Sequence, residues 1–215
     1  MLVDDAPAEK AGQAVTPDAR VRLRGEERRF VSRGGEKLAG ALADLGLDPA
    51  GKVCLDLGAS TGGFVDCLLQ HGAAQVVAVD VGYGQLDLRL RDDPRVRPLE
   101  RTNARYLDPT DVPEAIELVT LDVSFISATL LLPRLVEIAP TAELLVLVKP
   151  QFEVGRERVG KGGVVRDDAD RAAAVLRVRE AAEALGYELC GQAESRLPGP
   201  KGNREVFLWM GPRGA

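Results

Sequence analysis

Apolar residues along this chain gather in short runs rather than long spans. Residues 53–57, 76–81, 96–99, 118–123 and 144–148 are each four to six positions rich in Val, Leu and Ala, separated by turn-rich or helix-compatible segments. Runs of that length bounded by turns predict strands buried on both faces. A helix is predicted over 36–45, where Leu38, Ala41, Leu42 and Leu45 recur at three- and four-residue spacing and Gly46 supplies the stop. The segment 168–185 is the clearest helix, with Val175, Val178, Ala182 and Leu185 on one stripe and Asp167 as its cap. Residues 187–193 and 205–210 read as a final pair of strands around the loop RLPGPKGN. The prediction is an α/β protein, with a mostly parallel seven-stranded sheet and helices on both faces. The first 30 or so residues are polar and turn-rich, alternating only over 19–23, and predict one or two short strands rather than a domain.

Composition narrows the chemistry. Of 215 residues, 45% are hydrophobic and 28% charged, and the net charge is −5, so an anionic partner must be held by a local patch. Three cysteines without a CxxC and a single histidine, His71, argue against a disulfide scaffold and a zinc site, and imply a reducing, cytoplasmic location. No apolar run approaches the roughly 20 residues that cross a bilayer, and the amino terminus lacks the order of a signal peptide. Membrane binding is therefore not expected.

The stretch KVCLDLGASTGGF places a strand, Asp56, and a turn containing Gly58, Gly62 and Gly63 ahead of a helix beginning near Phe64. Small residues let the backbone pass close under a ligand, while helix N-terminal amides favour a carboxylate or phosphate. About twenty residues later the second strand ends in Asp80, where such folds keep the acid that binds ribose hydroxyls. Ser60 stands where GxGxxG requires its second glycine, so a dinucleotide fits less well than S-adenosylmethionine, which has no pyrophosphate.

Lys37 follows Gly34 and Gly35, which read as a turn; Asp122 ends the fourth core strand and Lys149 the fifth; Glu205 starts the last. Open α/β sheets bind ligands at the carboxyl ends of their strands, so Asp122 and Lys149 should face the crevice of the glycine loop. A sulfonium methyl is already activated, so the protein must align an attacking oxygen and ease removal of its proton. A ribose 2′-hydroxyl gains from a lysine acting as base or as a charge on the developing alkoxide. Methylation of a pyrimidine carbon would want a cysteine nucleophile, but Cys54 and Cys67 read as core.

At these residues the chain resembles the TlyA or hemolysin-like family of ribosomal RNA methyltransferases, with a catalytic domain of the FtsJ (RrmJ) type. The resemblance runs through FVSRGGEKL, CLDLGASTGGFVDCLLQ, VVAVDVGYGQLDLRLRDDPRV, ERTNAR, LDVSFIS, VKPQFEVG, GKGGVVRD and GNREVF, and covers 30–210. It implies a Rossmann-like S-adenosylmethionine-dependent methyltransferase fold over 30–215 and methylation of ribose 2′-oxygens in 16S or 23S rRNA. A Lys-Asp-Lys-Glu tetrad carries over onto Lys37, Asp122, Lys149 and Glu205. Cofactor contacts are implied at Gly58, Ala59, Ser60, Thr61, Gly62, Gly63, Phe64, Asp80, Val81, Asn103 and Asp122, with an amide at Asn103 in place of the usual adenine-binding acid. Members of this family begin with an S4-type RNA-binding domain, and residues 1–29 resemble only its closing strands and linker.

Local charge is consistent with an RNA-facing rim. From Arg20 to Lys37 there are seven bases (Arg20, Arg22, Arg24, Arg28, Arg29, Arg33, Lys37) against three acids. Arg156, Arg158, Lys161 and Arg166 stud the loop after Lys149, and Arg196, Lys201 and Arg204 cluster beside Glu205. Aromatic residues make up only 4%, with Phe125, Phe152 and Tyr83 as candidates to pack on cofactor or base. Competing expectations are methylation of transfer RNA or a small hydroxyl compound, a methyltransferase-fold module without turnover, and the cytolytic activity suggested by the hemolysin label. The last lacks an amphipathic helix with an aromatic anchor.

Overall fold

The computed structural model describes residues 2–8, 10, 12–22, 29–112, 115–199 and 201–214. Three two-residue strands come first, β1 (Leu2–Val3), β2 (Ala6–Pro7) and β3 (Val21–Arg22), forming a small antiparallel sheet in the order β2-β1-β3. The apolar runs then become β4 (Val53–Leu57), β5 (Gln75–Val79), β6 (Val96–Leu99), β7 (Leu118–Leu121) and β8 (Glu143–Val148), all parallel to one another. Two antiparallel strands complete the main sheet, β9 (Tyr187–Glu194) and β10 (Val206–Pro212), and its order is β6-β5-β4-β7-β8-β10-β9. This is the mostly parallel, seven-stranded sheet that the apolar runs predict.

Period-two geometry divides each run between two faces. Leu55, Leu57, Val77, Val79, Val119, Leu121, Val146 and Val148 pack on one face with α4 (Leu132–Ile138) and α6 (Asp168–Glu183). Cys54, Val76, Ala78, Leu118, Leu145 and Leu147 pack on the other with α1 (Arg33–Leu45) and α2 (Gly63–Gln70). Both faces are covered, so the central strands β4, β5, β7 and β8 are buried almost throughout, whereas the edge strand β9 alternates buried and exposed positions. The short helices α3 (Leu88–Arg91) and α5 (Pro150–Glu153) follow β5 and β8. In α6 the buried positions are Ala174, Val178 and Ala182, one per turn, and Asp167 accepts from the Ala169 and Asp170 amides as the predicted cap.

One boundary departs from the sequence reading in a way that bears on function. Helix α1 begins at Arg33, not Glu36, so Gly34 and Gly35 are its first turn rather than a turn ahead of it. A side chain at Gly35 would collide with the Phe30 ring, and one at Gly63 would collide with Ser32 and the Gly34–Gly35 backbone. These glycines let the starts of α1 and α2 meet, which brings Lys37 over the carboxyl edge of the sheet.

Candidate active site

The order of the strands fixes where the site lies. From β4 the chain steps outward through β5 and β6 on one side, while β7 and β8 lie on the other, leaving a crevice at the carboxyl ends of β4 and β7. Asp80 follows β5, Gly58 follows β4, Asp122 follows β7 and Lys149 follows β8, all at that edge. Strand β10 runs antiparallel to β8 with Val206 opposite Val148, so its preceding residue, Glu205, arrives beside Lys149.

The glycine loop is held open by its backbone. Gly58 has φ +88°, and a Cβ there would sit 2.6 Å from the Asp122 carbonyl oxygen, so the β4 and β7 loops touch only because this residue has no side chain. Gly58 and Ala59 donate to the Val79 carbonyl, and Ser60 donates to Asp80 Oδ2 at 2.8 Å. Asp80 Oδ1 accepts from Gly82 at 2.7 Å, so this carboxylate clamps two loops through one lone pair on each oxygen and keeps the others for a ligand. At Gly62 the missing Cβ makes room for Leu86 and Leu90, so this glycine lets the loop pack on the side chains behind it.

Three confluent cavities open at the edge. The first, about 380 Å³, is lined by Gly58, Ala59, Ser60, Thr61, Gly63 and Phe64, with Lys37, Asp122 and Lys149 across from them. The second, about 570 Å³, continues past Asp80, Val81, Asn103 and the loop 123–126. The third, about 270 Å³, lies between Ser124, Phe125, Lys149, Phe152, Lys201 and Glu205. Asp122 borders the first two, Ser124 and Phe125 the last two, and Lys149 the first and third. The Asn103 Oδ1 caps a turn by accepting from Arg105 at 3.1 Å, and Phe64 is buried with its ring stacked 6.1 Å from that of Phe207.

Two ion pairs stand where the cavities meet. Lys37 Nζ donates to Glu205 Oε2 at 2.5 Å, both side chains being almost wholly buried. Lys149 Nζ lies 2.6 Å from Asp122 Oδ1, off the line of a hydrogen bond, and donates instead to Ser124 Oγ at 2.9 Å. Among the described residues Glu205 Oε1 is buried with no hydrogen-bond partner, and Gly199 makes room for that oxygen, because a Cβ there would collide with it. The geometry thus gathers all four tetrad positions. Ser124 is the residue that reasoning from the sequence did not single out; its signal was its place two residues after Asp122, next to a lysine needing an acceptor.

The surroundings discriminate between the other candidates. Burial pushes the thiols of Cys54 and Cys67 up to about 12, so neither is a thiolate nucleophile. Phe125 is 89% exposed at φ +71° and tilts against Phe152 with ring centroids 5.6 Å apart, while Tyr83 carries the Arg101 guanidinium 4.1 Å above its ring. Of the basic rim, Arg24, Arg28 and the Arg22 side chain lie outside the described residues. Arg158 pairs with Asp170, Arg196 with Asp44 and Arg204 with Glu194, so three of the expected phosphate contacts are already neutralised. Arg156, Lys161, Arg166 and Lys201 remain exposed, and Arg33 lines the first cavity while reaching the Pro198 carbonyl at 3.5 Å. Among the described residues no helix is long and apolar enough to cross a membrane, and no cluster of three or more metal-ligating side chains is found.

Comparison with known proteins adds a family. The sequence profile of the FtsJ-like methyltransferases matches residues 30–212. The 16S/23S rRNA (cytidine-2′-O)-methyltransferase TlyA of Mycobacterium tuberculosis (strain ATCC 25618 / H37Rv) is 51% identical over 210 residues, covering 97% of this chain and 78% of that protein. A hemolysin-named structure from Streptococcus thermophilus aligns with a TM-score of 0.84 at 40% identity, over 98% of this chain and 76% of its own. Fibrillarin from Aeropyrum pernix, solved with S-adenosyl-L-methionine natively bound, aligns with a TM-score of 0.59 at 14% identity, over 86% of this chain and 84% of its own, a likeness of fold alone.

Proposed function

This chain belongs to the FtsJ-like methyltransferase family, and from that premise we propose that it methylates ribose 2′-oxygens in ribosomal RNA, with S-adenosylmethionine as donor. The observation that carries the reading is the pair of ion pairs, Lys37–Glu205 and Lys149–Asp122, at the junction of three cavities. The cavities suit the donor. A turn that a Cβ at Gly58 would block accepts a narrow chain, the first cavity is bordered by Gly63 and Phe64 at the start of α2, and the second is large enough for a nucleoside. Ser60, Thr61 and Gly63 would hold the amino-acid end, Asp80 the ribose hydroxyls, and Val81 and Asn103 the adenine. When bound, the cofactor supplies a methyl group made electrophilic by a positively charged sulfur.

The remaining work falls to side chains of this protein. The acceptor nucleotide enters the third cavity, its base resting on Phe125 and its 2′-hydroxyl directed at Lys149. Lys149, held between Asp122 and Ser124, takes up the hydroxyl proton once it has released its own to solvent, or as an ammonium stabilises the oxyanion while that proton passes to solvent, and Asp122 fixes the lysine's position. Lys37 and Glu205 wall the opposite side, and the free Glu205 oxygen can accept from a second sugar hydroxyl. A cytolytic reading finds no spanning helix among the described residues.

The test is transfer of tritiated methyl from S-adenosylmethionine into ribosomal subunits, followed by mass-spectrometric mapping of ribose methyl groups. Lys149→Ala is expected to lower turnover by about 10²–10⁴-fold with cofactor affinity within a few-fold of the parent. No incorporation into either subunit or into free rRNA by a cofactor-binding parent protein refutes the substrate.

A further inference from the structure

Glu153 is 3% exposed and, among the described residues, no cationic side chain is paired with its carboxylate, a costly arrangement for a group with no part in the chemistry so far described. It lies at the end of α5, four residues beyond Lys149, and reaches across to the segment that follows β7. Its Oε2 accepts from Ser127 Oγ at 2.5 Å and its Oε1 from the Ala128 amide at 2.8 Å. Its own carbonyl accepts from Arg177 Nη1 at 2.9 Å, which anchors the end of α5 to α6. The segment it grips carries Ser124, the acceptor of the Lys149 hydrogen bond, and Phe125, an exposed aromatic in the left-handed region that a β-carbon disfavours. That segment is also the wall shared by the second and third cavities.

We propose that Glu153 is a positioning residue for the reaction: it clamps the 123–128 segment to α5 through Ser127 and Ala128, and so holds Ser124 against Lys149 and Phe125 in the acceptor cavity. Two bonds to one buried carboxylate oppose the relaxation that would move Phe125 out of its strained backbone conformation. Each is charge-assisted, the stronger kind, and the site is dry enough for both to persist. Burial raises the carboxyl of Glu153 above its ordinary value, while the Ser127 and Ala128 bonds and the nearby Arg177 charge oppose that rise. The clamp is built from residues outside the tetrad, and it rests on the reading of the third cavity as the acceptor site.

The test separates the clamp from that reading by two readouts. Hydrogen exchange, measured without RNA, should show the Ala128 amide exchanging at least about 10-fold faster in Glu153→Ala than in the parent, with β4 and β5 amides unchanged. In methyl transfer, Glu153→Ala should lower kcat/KM for rRNA by about 10–100-fold, much of it through KM. Glu153→Gln, whose amide can accept from Ala128 and donate to Ser127, should recover most of that loss. In a Phe125→Ala background the Glu153→Ala change should add little to KM, because both act through one group. If Glu153→Ala fails to fold, Ser127→Ala, which removes the hydroxyl bond to Glu153 together with the Ser127 cap on Thr129 but leaves the Ala128 bond, gives the same signs, and Thr129→Val separates out the loss of the Thr129 hydroxyl contact. Unchanged Ala128 exchange, a glutamine variant as impaired as alanine, or KM effects that multiply in the double variant would each overturn the clamp. A parent protein with no rRNA transfer would overturn the acceptor reading instead, while the exchange measurement still reports on Glu153.

Discussion

The Lys37–Glu205 pair allows stability and activity to be pulled apart. The two side chains are 9% and 0% exposed and meet at 2.5 Å, so each charge is tolerable in the interior only because the other is there. Lys37→Met keeps most of the stem's volume and removes the charge, leaving Glu205 buried with neither oxygen paired, since Oε1 already lacks a partner. Breaking one side of a buried pair costs about 3–5 kcal/mol, and for a chain of this size each kcal/mol moves the melting temperature by about 2–4 °C. The single variant should therefore melt roughly 6–20 °C below the parent. Glu205→Gln alone strands the Lys37 ammonium and should lose a similar amount. The double variant Lys37→Met/Glu205→Gln removes both charges together and should recover at least half of either loss. Methyl transfer should stay low in all three, because refolding the interior does not restore a charged wall to the acceptor cavity. Differential scanning calorimetry and tritium transfer on the same preparations decide the matter. A double variant as unstable as the sum of its singles would refute the compensation argument, and one that methylates at a tenth of the parent rate or more would remove this pair from the chemistry.

Three further outcomes follow from the same geometry. Gly58→Ala places a methyl group against the Asp122 carbonyl at a φ of +88°, so cofactor affinity measured by calorimetry should fall by at least about 10-fold; unchanged affinity would contradict the cradle. Ser124→Ala removes the Lys149 acceptor and should lower kcat about 10-fold at nearly unchanged cofactor affinity, whereas a loss confined to cofactor binding would place Ser124 in the wrong cavity. Asp56 is buried inside β4, bonded through one oxygen to Thr120 at 2.6 Å, and burial pushes its carboxyl from the usual 3.8 to about 7, with Asp122 and Asp80 adding to the rise. The folded chain then holds a proton that the unfolded chain releases between those values, so this residue makes stability fall as pH rises from about 4 to about 7. Asp56→Asn should lack that slope and gain on the parent progressively across the window in urea melts; parallel stability curves would show that Asp56 is ionised in the fold.

Much of the architecture was legible because both faces of the sheet are buried. Short, mostly apolar runs bounded by turns announce the strands of such a sheet, and 53–57 and 96–99 match β4 and β6 residue for residue, although the edge strand β6 exposes Arg97 and Pro98. Where the ends differ, as for β7 stopping at Leu121, the last residues turn off to carry the site, so composition alone does not mark the boundary. Helix α1 was misjudged at its start because a Gly-Gly pair reads locally as a turn. The reason for those glycines, contact with Phe30 and with the start of α2, is tertiary. The packing of Gly62 is tertiary in the same way, its φ of +94° and its neighbours Leu86 and Leu90 being invisible in a motif.

The site divides in the same way. Asp80, Asp122 and Lys149 could be found by counting strand ends, since open parallel sheets present that edge to ligands. Glu205 could not, because its meeting with Lys149 depends on β10 running antiparallel to β8 in one particular register. The pairing of charges was equally hidden. Two lysines and two carboxylates balance one another at the junction of the cavities, so the centre itself gives little net attraction for a phosphate backbone. With Arg158, Arg196 and Arg204 also bound to acids, electrostatic grip on RNA falls to exposed cations such as Arg20, Arg29, Arg156, Lys161, Arg166 and Lys201, with Arg33 at the mouth of the first cavity. Under the proposed function that division separates tasks: exposed cations on loops would gather the polyanion, while the buried, charge-balanced pairs would orient one sugar hydroxyl without themselves being drawn toward phosphate.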